Sequence, residues 1–185
     1  NMTLTFDITK NLVFKSTAGF DYNHFTDLQF NDSITPYAIT QGSRKPIAGL
    51  DTVTKKIFTN SNVLSWSVKG FKKIHDFDML VGQETYDLRT ESHSSLFGNY
   101  PLNTSSSQAF KETSLGTSFT GYPRVGKSRY TNMSFFGRVN YTLLGRYLLS
   151  FNMRADGASK FAEGKKWGYF PAGSIAWRVK NEKFL

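Results

Sequence analysis

The sequence predicts an all-β fold, an antiparallel up-and-down transmembrane β-barrel segment supplying about seven long strands. Three observations carry this. Aromatic residues make up 16% of the chain (Phe 17, Tyr 9, Trp 3), yet mean hydropathy is only −0.39, so apolar and polar residues are finely interleaved. Runs of period two recur from end to end, as in pleated strands whose two faces meet different surroundings. The connections alternate between short turns and long polar loops, the rhythm of spanning strands with short periplasmic turns and long extracellular loops.

In chain order, Met2, Leu4, Phe6 and Ile8 alternate with polar residues before a turn at Thr9 to Asn11. The run from Leu12 to about Phe30 sets Leu12, Phe14, Ala18, Phe20 and Tyr22 against Lys15, Thr17, Gly19, Asp21 and Asn23. Asn31 to Lys56 reads as a long connection, with Pro36, Gly42, Pro46 and Gly49 supplying turn chemistry. The third strand carries Leu64, Trp66 and Val68, and Lys72 to Asp76 turns the chain into a fourth, Phe77 to Arg89. That strand has no assignable faces, because Met79 and Val81 compete with Leu80 and Leu88. Thr90 to Thr131 reads as a second long connection. Asn132 to Thr142, a tight turn at Leu143 to Arg146, Tyr147 to Asp156 and Trp167 to Val179 complete the walk.

Alternation in these last strands separates two candidate surfaces. Phe135, Val139, Tyr141, Tyr147, Leu149, Phe151, Met153 and Trp177 form the expected lipid-facing set. Arg138, Asn152, Arg154 and Asp156, together with Asn140, form the expected lumen-facing set. Tyr141, Tyr147 and Trp177 lie close to short turns, as an interfacial aromatic girdle would. Sequence symmetry about the Leu143 to Arg146 turn predicts Tyr141 opposite Tyr147, Val139 opposite Leu149, Gly137 opposite Phe151 and Phe135 opposite Met153. A soluble extracellular carbohydrate-binding β domain could share the alternation, but loops of about 25 to 40 residues at one end only argue against it.

No run approaches the roughly 18 apolar residues of a membrane helix. The chain opens at Asn1 inside an alternating pattern, without a basic and apolar leader, and is expected to be an internal piece of a longer protein. The absence of cysteine excludes disulfides and thiolate metal sites. A net charge of +9 invites a nucleic-acid reading. The cations are scattered instead: Lys55 and Lys56, Lys72 and Lys73, Lys165 and Lys166, and a looser Arg124, Lys127 and Arg129 group. They fit solvated loops, lipopolysaccharide phosphates or an anionic substrate, with no nucleic acid.

The stretch from Arg138 to Leu185 closely resembles the barrel signature of SusC/RagA-type TonB-linked outer-membrane transporters. The shared blocks are Arg154 to Phe161 (RADGASKF), Trp167 to Pro171 (WGYFP), Ala176 to Arg178 (AWR) and the closing Glu182 to Leu185 (EKFL). Asn1 to Arg89 is similar more loosely, through ITKNL, GFDY and VGQE, and Thr90 to Thr131 resembles no named segment. The resemblance implies a barrel of about 22 strands filled by an N-terminal plug, importing oligosaccharides or peptides across the bacterial outer membrane with energy relayed by TonB. It implies as partners the plug, TonB through that plug, a SusD-like surface lipoprotein, and outer-membrane lipid and lipopolysaccharide. Residues 1–185 are then expected to be part of the barrel domain, with neither plug nor signal peptide in this chain.

Other motifs are weaker. Gly121 to Ser128 matches the phosphate-loop pattern G-x-x-x-x-G-K-S, but such a loop needs a buried strand before it and a helix after it. Ser114 to Thr120 is polar and the residues from Arg129 read as strand, so this segment is expected in a loop with no helix starting at Lys127 and no nucleotide. His24, His75 and His93 sit singly, without metal spacing. Asp76 and Asp78 flank a turn, and Asp21 and Asp156 read as lumen residues beside cations, so no enzyme and no cofactor is expected.

Overall fold

The computed structural model describes residues 1–118 and 123–182. In chain order the elements are β1 (Met2–Thr9), β2 (Leu12–Asn31), α1 (Pro36–Gln41), β3 (Ile47–Phe71), β4 (His75–Gly98), α2 (Ser106–Lys111), β5 (Thr117–Ser118), β6 (Arg124–Leu143), β7 (Tyr147–Ala158) and β8 (Trp167–Trp177). One sheet holds them in the order β1-β2-β3-β4-β6-β7-β8, with β5 attached to β4 and with β1 and β8 at the edges. Neighbours in sequence are thus neighbours in the sheet, as in an up-and-down meander. No described helix is long and apolar enough to cross a membrane.

The strands are longer than the alternation suggested. β3 has 25 residues and β6 has 20, whereas a tilted strand crosses hydrocarbon in about 9 to 11. Much of what reads as connection, Ile47 to Lys56, Thr90 to Gly98 and Arg124 to Thr131, is therefore strand. Backbone pairing needs no apolar row, so the ladder continues beyond the alternating stretches although the period-two signal fades.

The described chain divides into two compact units. The first comprises Asn1–Asp21, Ile57–Leu88 and Tyr130–Leu185. Its β6–β7 hairpin pairs Leu143 with Tyr147, Tyr141 with Leu149, Val139 with Phe151, Gly137 with Met153 and Phe135 with Ala155. This corrects the predicted register by two residues. The turn is confined to Leu144–Arg146, with Leu144 (φ 55°) and Gly145 (φ 67°) left-handed, so pairing starts at Leu143 rather than Tyr141. An even slip leaves every side chain on its predicted face, and Arg154 is on the face opposite Phe151. Gly137 faces Met153, so Phe151 does not cover it.

The second unit comprises Tyr22–Lys56 and Arg89–Arg129. It holds a small core of Ala48, Tyr100 and Ala109, with Phe30, Phe97 and Phe110 packed around it. The Tyr100 hydroxyl donates to the Ala109 carbonyl at 3.2 Å, satisfying the polar atom that burial takes from water. A Cβ on Gly116 would come within 2.7 Å of the Tyr100 ring, so only glycine fits there. A capping box on α2 links Ser105 and Gln108, and Thr35 caps α1.

Gly121 and Tyr122 lie outside the described residues. Arg124 to Ser128 belong to β6, so these five residues are strand where a loop was expected, and no helix starts at Lys127. An extended backbone cannot converge its amides on a phosphate as a helix N-terminus does. Arg124 to Ser128 and the Asn31 to Lys56 connection fall in the same unit.

Candidate functional site

In the first unit, one sheet face is apolar and aromatic. Cross-strand pairing sets Tyr147 beside Trp177, Leu149 beside Ile175, Phe151 beside Gly173 and Met153 beside Pro171. The Tyr147 and Trp177 rings stack at 6.4 Å and Phe135 stacks on Trp167 at 5.9 Å. Tyr141 stacks on Phe77 at 4.9 Å, Phe77 lies 6.3 Å from Trp66, and the His75 imidazole bonds the Tyr141 hydroxyl at 2.7 Å. Every predicted lipid-facing residue of β6 and β7 therefore shares one face, and Trp177 joins them. Among the described residues no layer covers it: Phe151 is 55% and Ile175 82% exposed. Uncovered apolar area on this scale is rare in water-soluble monomers.

Polar residues interrupt that face in one place. By alternation Asn62 has the parity of Trp66, and Gln83 that of Phe77. Ser16 donates to Asn62 Oδ1 (2.7 Å), Asn62 donates to Gln83 Oε1 (3.1 Å) and to Asn60 Oδ1 (2.6 Å), and Gln83 bonds Thr85 (2.5 Å). The amides satisfy one another across β2, β3 and β4, which is how polar groups persist on an apolar surface.

The opposite face is polar and centres on Arg154. Pairing sets Arg138 beside Asn152, Phe136 beside Arg154 and Ser134 beside Asp156. Arg154 Nε donates to Asp156 Oδ1 at 2.8 Å, Nη2 donates to Glu84 Oε2 at 3.1 Å, and the guanidinium lies 5.5 Å from the Phe136 ring centroid. The planar fork meets two carboxylates from two strands at once, each through its own nitrogen. Beside it is a cavity of about 270 Å³ whose lining includes Thr17, Ser61, Glu84, Tyr86, Asn132 and Arg154. Among the described residues Asn132 Oδ1 is buried there without a hydrogen-bond partner. Further down, Ser150 donates to Asn140 and Asn140 to Asp78.

The four predicted lumen residues thus share a face, and the structure brings Arg154 and Asp156 into contact. Sequence reading missed Glu84, Tyr86 and Asn132. Glu84 and Tyr86 lie on the strand whose faces could not be assigned. Its parity is now fixed: a Cβ on Gly82 would strike the Phe136 ring, so Gly82, Glu84 and Tyr86 belong to the polar face and Phe77 to the apolar one. Leu80 and Leu88 fall by alternation among the polar residues, which is why the pattern was ambiguous. Also missed was Glu182, whose carboxylate accepts from Arg146 Nη1 (2.6 Å), Trp177 Nε1 (3.0 Å) and the Tyr147 hydroxyl (3.1 Å), tying the chain after β8 to the β6–β7 turn. These bonds hold the Glu182 carboxyl below the usual carboxylate range, the one from Trp177 contributing most.

A sheet of long meandering strands, apolar and uncovered on one face and charged on the other, defines a class: a wall segment of an outer-membrane β-barrel. No protein-family model matches the chain. It is 37% identical over 119 residues to the TonB-dependent receptor SusC of Bacteroides thetaiotaomicron, covering 60% of this chain and 10% of SusC. It is 28% identical over 188 residues to TonB-dependent receptor P3 of Formosa agariphila, covering 100% of this chain and 18% of that protein. In fold it matches a structure of the RagAB peptide transporter with a TM-score of 0.80 at 19% identity, over 99% of this chain and 20% of that one. A RagAB importer in the closed-closed state gives 0.78 at 17% identity, over 98% and 19%. The resemblance to SusC/RagA-type TonB-dependent receptors therefore holds in sequence and in fold, and the chain spans less than a fifth of the length of SusC and of P3.

Proposed function

We propose that residues 1–185 are part of the barrel domain of a TonB-dependent outer-membrane importer of large nutrients, oligosaccharides or peptides. The carrying observation is the two-faced sheet: an uncovered aromatic face suits hydrocarbon, and the face bearing Arg138, Asn152, Arg154 and Asp156 suits a water-filled lumen. On this reading Phe135, Val139, Tyr141, Tyr147, Leu149, Phe151, Met153 and Trp177 face lipid. The Arg154 cluster faces the lumen, where a plug or a passing substrate supplies hydrogen bonds. The partners are the plug of the same protein, TonB acting through it, and a SusD-like surface lipoprotein, and the wall itself catalyses nothing. A soluble carbohydrate-binding domain fits less well, since it would have to cover the aromatic face.

The test uses the full-length protein in its own cell. Deleting the gene should abolish growth on a large glycan or on oligopeptides as sole nutrient, while growth on the matching monomers persists; which nutrient fails identifies the cargo. Unimpaired growth on both, or a full-length protein that is monomeric without detergent, would defeat the reading.

A further inference from the structure

The polar face of the first unit carries an aromatic corner beside the Arg154 cluster. Tyr86 of β4 alternates in step with Gly82 and Glu84, and Tyr130 of β6 with Asn132, Ser134 and Phe136, so both rings belong to the face of Arg154. Their centroids are 6.0 Å apart with the planes inclined at 59°, which makes a corner rather than a flat plate. Both tyrosines are half-buried, and the Lys160 ammonium lies 4.9 Å from the Tyr130 centroid. Tyr86 lines the cavity of about 270 Å³ together with Thr17, Ser61, Glu84, Asn132 and Arg154. All of these residues lie in the first unit.

Three properties of this corner select a ligand. The charges around it balance, Arg154 and Lys160 against Glu84 and Asp156. The Arg154 and Glu84 side chains each stay 42% exposed, and a guanidinium with five N–H groups and a carboxylate with two oxygens have bonding capacity beyond one ion pair. The strands β4, β6 and β7 are interior, so their backbone groups are taken by neighbouring strands and recognition here falls to side chains. An extended peptide is held chiefly through its backbone at an unpaired strand edge, which interior strands do not offer. A sugar presents the opposite chemistry: hydroxyls that each donate and accept, and a ring face of C–H groups that packs on an aromatic ring.

We propose that Glu84, Tyr86 and Arg154 form a subsite on the wall for one neutral sugar residue of a passing oligosaccharide. The sugar ring packs on Tyr86, its hydroxyls donate to the Glu84 carboxylate and accept from the Arg154 guanidinium, and Tyr130 positions the Tyr86 ring. At about 270 Å³ the cavity falls just below the roughly 300 to 1,000 Å³ of pockets for drug-sized ligands, which suits a single ring. The balanced charge favours an uncharged sugar over a uronate or sulfated one. This assignment rests on the importer reading and narrows its cargo from oligosaccharides or peptides to neutral glycans.

Cells with the full-length gene intact, deleted or altered would be grown on limiting amylopectin, levan, laminarin or xylan, on polygalacturonate as an acidic glycan, and on casein-derived oligopeptides. Deletion should abolish growth on a neutral glycan. On that glycan Y86A should raise the half-saturating concentration about tenfold, the size of a lost aromatic contact, with the maximal rate and the surface level of the protein kept. Y86F retains the ring and should behave as the unchanged protein. If Y86A does not accumulate, Y86L takes its place, keeping bulk without a ring. A deletion defect confined to oligopeptides or polygalacturonate overturns the inference, as does an unchanged half-saturating concentration in the ring-less variant. Raised vancomycin sensitivity of that variant with unchanged half-saturation also overturns it, and assigns Tyr86 to holding the plug. Growth of the deletion strain on every one of these nutrients would instead sink the importer reading, and this inference with it.

Discussion

At the scale of single residues, Glu182 shows how much one carboxylate can organise. Three donors from three positions converge on it, so the chain beyond β8 is fixed to the β6–β7 turn by charge-assisted bonds. Because folding holds this carboxyl below its unfolded value, its contribution to stability is fully present above about pH 4.3 and is lost as pH falls through the lower folded value. The full-length protein should therefore be more stable than its Glu182→Gln variant at pH 7, and the gap should narrow on acidification below about pH 4.3. Denaturant unfolding of both proteins in detergent at several pH values checks this; a gap unchanged down to pH 2 would show that the bonds do not depend on the ionised carboxylate. Glu182 was legible in the sequence only as a letter in a terminal motif, since its donors come from residues up to 36 positions away.

At the scale of elements, the β6–β7 hairpin separates what alternation determines from what it leaves open. Parity was readable, because a charge such as Arg154 and a ring such as Phe151 prefer opposite faces. Register was not, because a slip of two residues preserves parity and is set by the turn, where Leu144 takes a left-handed conformation unusual for its type. These 185 residues hold no native cysteine, so a cysteine pair placed in the hairpin has no native competitor among them. In the full-length protein, the pair Val139→Cys and Phe151→Cys should form a disulfide under mild oxidation, whereas Val139→Cys with Leu149→Cys should form little, since Val139 lies directly opposite Phe151. Equal cross-linking of the two pairs would mean that the hairpin slides. The lengths of β3, β4 and β6 were hidden for a different reason: backbone pairing continues past the alternating stretches without a hydrophobic rhythm to betray it.

At the scale of the whole molecule, the question is what keeps such a sheet folded. Among the described residues the buried apolar side chains are few (Ala38, Ile47, Ala48, Tyr100 and Ala109), and they lie in the second unit, whereas the first unit carries its aromatic rows uncovered. Two edge strands, β1 and β8, also keep one side of their backbone without a neighbour. An isolated sheet of this kind in water must hide both its aromatic face and its edges, and other copies of itself are the available cover. In a complete barrel, further strands would satisfy β1 and β8, and lipid would cover the rings at no hydrogen-bonding cost. Residues 1–185 produced alone and diluted from denaturant into buffer should therefore form oligomers or precipitate, whereas the full-length protein folded in detergent should migrate in unheated gels as a compact species that heating converts to a slower one. Light scattering and gel mobility decide the matter. A monodisperse monomer of residues 1–185 that unfolds cooperatively without detergent would show that the aromatic face is covered by this chain itself, and would remove the physical basis for a lipid-facing wall.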